Sequence, residues 1–327
     1  MTPGGEARPE GRRRRGADQL MVPPAEFRSY YGRPLIKEPV WETLDIAGYL
    51  FLGGLAGASS ALAASAELTG RPELARVAKT AAAGAIGLSV AALVHDLGRP
   101  KRFVNMLRVF KPTSPMSIGT WLLTAYAPAA GAAAASAVTG WLPRTGRAAT
   151  VMAAVLGPGV AAYTGALLSD TAVPAWHEAH RELPYLFVSS AASAAGGLGL
   201  VLVRSEQAGP ALNLAVIGGG AELVAKSLLI RRMGPAAEPY QSGRAGHLME
   251  AAEILTAGSL AAAALGGRNR ATAVLAGVGL VASSALTRFG VFLAGRASAR
   301  DPKYTVVPQR DRIRRQEDQA RDAPPAR

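Results

Sequence analysis

The sequence predicts an all-α integral membrane protein with eight transmembrane helices. The chain of 327 residues is 49% hydrophobic and 18% charged, and its charges are concentrated in two tails and in short connections. The segments between those connections stay apolar for roughly 20 residues at a time, the length that crosses a hydrocarbon core of about 30 Å as a helix. Their apolar residues are mainly Ala and Gly, which let neighbouring membrane helices approach closely.

These segments divide the chain into three parts. Residues 1–42 form a basic, Pro-rich arm whose prolines oppose helix formation, and residues 27–41 within it are aromatic enough to order against the membrane surface or a partner. Residues 296–327 form a charged tail, which we expect to be solvated. The transmembrane domain between them, residues 43–295, contains eight predicted spans, at about 44–68, 74–97, 115–141, 147–169, 183–203, 211–230, 247–265 and 272–294.

The distribution of basic residues predicts the orientation. Eight spans place both termini on the same side of the membrane. Of the 36 Lys and Arg residues, 26 lie in the tails and in the loops after the second, fourth and sixth spans, whereas eight lie in the loops on the other side. Cytoplasmic loops carry the excess of basic residues, so we predict that both termini are cytoplasmic and that the protein is a multi-pass protein of the plasma membrane.

Composition also excludes several kinds of site. The chain has no Cys, which rules out disulfides, thiolate nucleophiles and iron–sulfur clusters within it. Its four His residues lie at span ends or in a loop, so we predict neither a haem nor a metal site. The net charge of +13 follows the membrane topology, and we therefore predict contact with the lipid bilayer and not with nucleic acid.

The connection after the second span is the most chemically dense stretch. His95 and Asp96 end that span, and either could take up a proton beside a bound redox ligand, since the pKa of His lies near neutrality. A simpler interpretation is an ion pair between Asp96 and Arg99, three residues later. Asn105 follows in the same basic connection.

Two further sites lie beyond it. Tyr163, near the end of the fourth span, needs a hydrogen-bond partner if it is buried, either on a neighbouring helix or on a ligand. Asp170 lies about two turns later on nearly the same face, so both residues could line one cavity near the membrane edge. Trp176, in the following loop, belongs either to that site or to an interfacial aromatic belt.

Charged residues inside the later spans are costly and need a partner or a function. Glu222 and Lys226 are spaced i, i+4, so we expect them to pair on one helix face. Glu250 and Glu253 are predicted in the first turns of the seventh span, where the helix dipole favours acids. The alternative is that all four form a proton path.

Several of these motifs together resemble the NrfD family of polysulfide-reductase-like (PsrC-like) membrane subunits. They are Asp96-Leu97-Gly98-Arg99-Pro100 with Arg102, Phe103 and Asn105; Ser114-Pro115-Met116-Ser117 with Gly119 and Trp121; and Tyr163-Thr164-Gly165 with Leu168 and Pro174-Ala175-Trp176.

The resemblance implies an eight-helix subunit of two four-helix bundles. Such a subunit binds a quinone or quinol, of the menaquinone or ubiquinone type, as a diffusible substrate. It docks a ferredoxin-like subunit with four iron–sulfur clusters and, through it, usually a molybdopterin catalytic subunit. Two-electron transfer at the quinone is coupled to proton movement.

The resemblance also implies where the quinone site lies. It makes Tyr163, Asp96 and His95 the expected catalytic residues of that site, and it implies further quinone contacts at Asp170, Arg99, Asn105 and Trp176.

Two points stay open at this stage. The catalytic subunits of polysulfide reductases are described as lying outside the cytoplasm, whereas the charge count puts the motif loops inside. Two other functions also remain: a proton-coupled secondary transporter that uses the intramembrane acids and a broken helix at Gly157-Pro158-Gly159, or a purely structural membrane anchor.

Overall fold

The computed structural model describes residues 35–98, 101–265 and 269–322, and within these ranges it is helical throughout, without a β-strand. A short 3₁₀ helix, Gly234–Ala237, joins two of the α-helices. The α-helices in the described part of the chain are, in order, α1 (Thr43–Leu68), α2 (Pro72–Asp96), α3 (Lys101–Met106), α4 (Pro115–Thr139), α5 (Pro143–Ser169), α6 (Pro174–Glu178), α7 (Leu183–Leu202), α8 (Gly209–Met233), α9 (Glu238–Gln241), α10 (Gly243–Leu265), α11 (Arg270–Arg300) and α12 (Lys303–Asp322).

Local sequence explains where these helices begin and end. Pro72, Pro115 and Pro143 occupy the first turn of α2, α4 and α5, where the missing N–H costs nothing. Gly140 ends α4 with φ of 73°, a left-handed conformation that favours glycine. The Asn269 side chain caps α11 by accepting a hydrogen bond from the Ala271 amide at 2.9 Å.

Seven helices in the described part of the chain are long and apolar enough to cross a membrane: α1, α2, α4, α5, α7, α8 with its extension to Gln241, and α11. The protein is therefore an all-α multi-pass membrane protein. Helix α10, which corresponds to the predicted seventh span, is not counted among these seven. The count of eight spans and the cytoplasmic location of the termini stay predictions.

The long helices pack as two groups of four. Helices α1, α2, α4 and α5 form the first bundle, and α7, α8, α10 and α11 form the second. Helix α1 joins the bundles by contacting both α7 and α11. Small residues allow close approach within each bundle, because Gly57 of α1 meets the backbone of Gly157 on α5, and Gly197 of α7 meets Gly277 on α11.

Both ends of the transmembrane domain differ in part from the sequence-based expectation. Residues 35–41 lie against the chain's own helices, since Glu38 forms ion pairs with Arg296 and Arg300 and the Trp41 ring stacks on Trp176. Residues 1–34, with most of the predicted arm, lie outside the described residues. The expected solvated tail contains α12, whose first turns line a surface pocket with α6.

Candidate functional site

The first bundle holds a pair of tyrosines near one of its ends. The hydroxyl groups of Tyr49 on α1 and Tyr163 on α5 form a hydrogen bond with each other. Tyr49 is fully buried and Tyr163 is half-buried. The Ser89 hydroxyl of α2 donates to the Tyr49 carbonyl oxygen at 3.0 Å, which fixes α1 against α2 at this level. The predicted partner of Tyr163 is therefore a side chain of a neighbouring helix.

Gly119 of α4 makes room for the Tyr163 ring. A Cβ atom added at Gly119 would overlap several atoms of that ring, so only glycine permits this position of the tyrosine without a shift. Helices α1, α2, α4 and α5 each contribute to this tyrosine site. Small and polar residues at matching depths in four separate helices thus build one local arrangement.

An acid and a histidine lie beyond the tyrosines, toward the end of the bundle. The His95 Nδ1 atom is 2.6 Å from Oδ2 of Asp45, and the His95 side chain is 77% exposed whereas that of Asp45 is 15% exposed. Asp45 and Tyr49 are spaced i, i+4 on α1, so they are neighbours on one helix face. Asp45 therefore contacts the exposed His95 and lies one helical turn from the buried Tyr49.

Asp96 has a different position from His95. Its Oδ1 accepts a hydrogen bond at 3.0 Å from the amide of Glu42, the residue that precedes α1. Asp96 thus joins the end of α2 to the start of α1, beside the Asp45–His95 pair. The alternative ion pair with Arg99 involves a residue that lies outside the described part of the chain.

Two other predicted quinone contacts, Asn105 and Asp170, lie at exposed positions. Asn105 is exposed on the short helix α3. Asp170 ends α5 and lines a surface pocket of about 360 Å³ with His177 and Tyr304, and Tyr163 is not among the residues of that pocket. A cavity shared by Asp170 and Tyr163 stays a prediction.

Trp176 is fully buried, so its interpretation as part of an interfacial belt is wrong. Its indole Nε1 donates to the Val291 carbonyl oxygen at 2.8 Å, and its ring contacts Trp41 and Phe292 at centroid distances of 6.0 and 5.5 Å. These contacts join α6 and the segment before α1 to α11. Trp176 packs the end of the protein, and none of these contacts is with Tyr49 or Tyr163.

The second bundle contains a buried charged cluster around Arg288. Arg288 of α11 is fully buried, its guanidinium lies 3.9 Å from the centroid of the Phe187 ring, and its Nη2 donates to the Phe187 carbonyl oxygen at 2.6 Å. Its Nε and Nη1 atoms have no hydrogen-bond partner. Glu222 of α8 is also buried and accepts hydrogen bonds from Thr287 at 2.8 Å and Ser193 at 3.2 Å. Sequence reasoning did not assign a role to Arg288, although an arginine inside an apolar segment was the available signal.

The predicted pairing of Glu222 with Lys226 is wrong. Lys226 turns instead toward α10, where its Nζ atom donates to the Met249 carbonyl oxygen at 2.7 Å and lies 2.5 Å from the Glu253 carboxylate. The i, i+4 spacing made a pair possible, but each charge has a better partner on another helix.

Lys226, Glu250 and Glu253 line one pocket of about 400 Å³. The two acids do not cap α10, because that helix begins at Gly243, two to three turns before them. The four residues of the predicted proton path therefore form two groups, with Glu222 beside Arg288 and the other three at this pocket.

Hydroxyl and charged groups also continue along the inside of the first bundle. The Ser60 hydroxyl is 2.8 Å from that of Tyr126, which is fully buried, and Glu67 forms an ion pair with the nearly buried Lys79. Ser60 and Glu67 follow Tyr49 along the same face of α1 at helical spacing. In the described part of the chain, no group of three His, Asp or Glu side chains is placed to hold a metal ion.

Comparison with known proteins identifies the family of this chain. None of the curated proteins matches this chain. A family model described as "Polysulphide reductase, NrfD" matches residues 35–210, more than half of the sequence. The match covers the whole first bundle, including both tyrosines and the Asp45–His95 pair, and it ends before Glu222 and Arg288. The chain belongs to the NrfD family.

Proposed function

We propose that this protein is the quinone-interacting membrane subunit of an oxidoreductase. The proposal rests on the arrangement at one end of the first bundle. There the Tyr49–Tyr163 pair and the Asp45–His95 pair are adjacent, because Asp45 and Tyr49 lie one turn apart on α1. The matched family region includes all four residues. A quinone needs hydrogen-bond donors for its oxygens and a route for protons, and this arrangement provides both.

The residues of this site can supply the hydrogen bonds and protons that quinone chemistry requires. Reduction of a quinone to a quinol takes up two electrons and two protons, and oxidation releases them. The Tyr163 hydroxyl is the half-buried donor that would orient a quinone oxygen. His95 and Asp45 would exchange the proton with solvent, because the imidazole is exposed and its carboxylate partner lies one turn from Tyr49. Asp96 positions this site by holding α1 and α2 together.

The electrons have to come from, or pass to, another subunit. The chain has no Cys and therefore holds no iron–sulfur cluster of its own. We propose a ferredoxin-like four-cluster iron–sulfur subunit as the direct partner and a molybdopterin subunit as the catalytic one. The exposed His95 end of the first bundle is the proposed docking end, since electron transfer favours a short distance between the nearest cluster and the quinone.

We further propose that proton movement accompanies this chemistry. Buried polar and charged groups support it in both bundles: Ser60, Tyr126 and Lys79 beyond the tyrosine pair, and Glu222 with Arg288 in the second bundle. Lys226, Glu250 and Glu253 would connect the second bundle to its surface. Burial of such groups in a membrane protein is costly and indicates a function.

We propose that helix α10 also crosses the membrane, which brings the number of spans to eight. Its 23 residues reach about 34 Å, enough to cross the hydrocarbon core, and it packs against α8 and α11. Glu250 and Glu253 lower its hydropathy, but both line the pocket that contains Lys226. With eight spans, both termini lie on one side, which the charge count assigns to the cytoplasm of the plasma membrane.

The alternatives receive less support. A transporter with a broken fourth span is disfavoured because α5 runs without interruption through Pro158. A purely structural anchor would not need the buried tyrosine pair with an acid and a histidine nearby.

Purification of the tagged protein from its native membrane in mild detergent tests the proposal. Mass spectrometry would identify co-purifying polypeptides and extracted lipophilic molecules. We expect an iron–sulfur protein and near-stoichiometric quinone. We also expect the Tyr49→Phe, Tyr163→Phe double variant to lose the quinone and keep the protein partner, whereas Tyr185→Phe, at an exposed position, keeps both. A stable lone polypeptide without quinone would contradict the proposal.

A further inference from the structure

Basic residues gather in one groove at the end of the first bundle opposite to the tyrosine pair. The groove has a volume of about 930 Å³ and lies between the α1–α2 turn, the start of α5 and the loop after α7. Only eight Lys and Arg residues belong to the loops and adjoining helix ends on this side of the predicted topology. Five of those eight line this groove: Arg71, Arg76, Lys79, Arg147 and Arg204.

The charges of the groove are only partly balanced. Its lining includes two acids, so its net formal charge is +3. Lys79 pairs with Glu67, and Arg204 lies 3.1 Å from the Glu73 carboxylate. Arg71 donates to the backbone carbonyl oxygen of Glu206, an uncharged acceptor that does not neutralise the positive charge of Arg71.

Arg76 and Arg147 differ from the other three basic residues of the groove. Within the described ranges, neither of them forms an ion pair or a side-chain hydrogen bond. They are exposed, lie on different helices and border the same groove. Two guanidinium groups that face one groove without a carboxylate partner would bind an anion with several acceptor oxygens, such as a phosphate group.

The depth of the basic groups favours a lipid over a soluble ligand. Arg71, Arg76 and Lys79 follow one another along the start of α2, so they span about 12 Å along its axis. Lys79 is nearly buried at the floor of the groove, two turns inside the span. The exposed side chain of Leu68 and the helix α4 residue Ala137 provide an apolar flank. A headgroup phosphate reaches this depth while its acyl chains stay in the bilayer.

We propose that this groove binds the phosphate-bearing headgroup of an anionic membrane lipid. Arg76 and Arg147 contact the phosphate, while the Lys79–Glu67 pair forms the floor of the site. The proposal does not depend on quinone chemistry, because the groove lies at the other end of the bundle. It also holds for either orientation of the protein, since anionic lipid is bound by the local charge.

Native mass spectrometry of the full-length protein in neutral detergent tests the site, with phosphatidylglycerol and phosphatidylcholine as probes. The test variant is Arg76→Gln with Arg147→Gln. The matched control is Arg144→Gln with Arg244→Gln, which removes the same charge from exposed positions outside the groove. We expect the phosphatidylglycerol affinity to fall about 30-fold in the test variant, from the usual contribution of each basic residue near a membrane surface. The control variant should bind as the wild type does.

Further measurements separate this result from a folding defect and from other ligands. The test variant should have the wild-type Tm in lipid-free detergent, and Lys at both positions should restore most of the binding. Equal affinity in the test and control variants would overturn the proposal. So would full displacement of the lipid by millimolar inorganic phosphate, which would indicate a soluble anion. Loss of a protein partner from the test variant with unchanged lipid binding would assign the groove to an acidic protein segment instead.

Discussion

The contact between Gly57 and Gly157 provides a direct test of how the tyrosine pair is positioned. A Cβ atom added at Gly157 would lie 3.0 Å from the carbonyl carbon of Gly57 and 3.1 Å from its Cα, and nearer still to its carbonyl oxygen. These are backbone atoms, which cannot rotate away as a flexible side chain can. The substitution Gly157→Ala must therefore push α1 and α5 apart.

The size of the effect follows from ordinary packing distances. Carbon atoms in contact lie about 3.5–4.0 Å apart, so the two helices must separate by about 0.5–1 Å. Overpacking of this kind costs typically 1–3 kcal/mol. The higher helix propensity of Ala offsets about 1 kcal/mol of this. Because the collision is with rigid backbone, we expect a net loss of about 1–2 kcal/mol and a decrease in Tm of about 2–6 °C.

The same separation should impair function. Tyr163 lies six residues from Gly157 on α5, and Tyr49 lies eight residues from Gly57 on α1, so their hydrogen bond depends on the spacing of these helices. Displacements of this size at a reacting centre lower rates by up to about 100-fold. We expect quinone-linked activity of the assembled complex to fall at least about tenfold.

Gly84→Ala is the matched control. It is also a glycine inside a helix of the first bundle, but a Cβ atom added there meets no heavy atom within 4 Å. Thermal unfolding of the purified variants in detergent should show a Tm at or above the wild-type value for Gly84→Ala and below it for Gly157→Ala. Equal Tm values for the two variants, or full activity of Gly157→Ala, would refute the reasoning.

Three further predictions concern single side chains. Tyr163→Phe should lower quinone-linked activity at least about tenfold in steady-state assays, and the complex should still assemble. Tyr185→Phe, a substitution at an exposed position, should leave this activity unchanged. Arg288→Met should reduce thermal stability by about 1–3 kcal/mol, because it removes the hydrogen bond to the Phe187 carbonyl oxygen and the positive charge near the buried Glu222, and adding Glu222→Gln should restore part of the loss. A hydrogen bond from Arg300 holds the pKa of Glu38 below its usual value near 4.5, so its contact with α11 is stable above that pH and is lost as the pH falls through the lowered pKa. Protease cleavage of residues 35–42 should therefore increase as the pH falls below the lowered pKa of Glu38, and at neutral pH in Glu38→Gln.

The helices were largely predictable because the length of an apolar segment is a local property. The span predicted at 44–68 is the helix Thr43–Leu68, and that predicted at 183–203 is Leu183–Leu202. Differences occur at helix ends, where hydropathy carries no signal. For example, α11 extends through polar residues to Arg300 because Glu38, far away in sequence, pairs with its last turns.

The site was predictable only in part, because its contacts join distant segments. Tyr163 and His95 were identified from their residue type and position, but the residues that connect them, Tyr49 and Asp45, lie more than 40 positions away from either. The same reason explains the wrong pairing of Glu222. Helical spacing identified a possible partner on the same helix, whereas the actual partners lie on α7 and α11.

Cross-linking with a photoreactive quinone is the most direct test of the central claim, that quinone binds at the tyrosine end of the first bundle. The full complex in native membranes would be illuminated with an azidoquinone, and the labelled peptides would be identified by mass spectrometry. We predict labels on α1, α4 and α5 close to Tyr49, Gly119 and Tyr163, and their loss when excess natural quinone competes. Competable labels found only in the second bundle, or only at the opposite end of the first, would contradict the assignment.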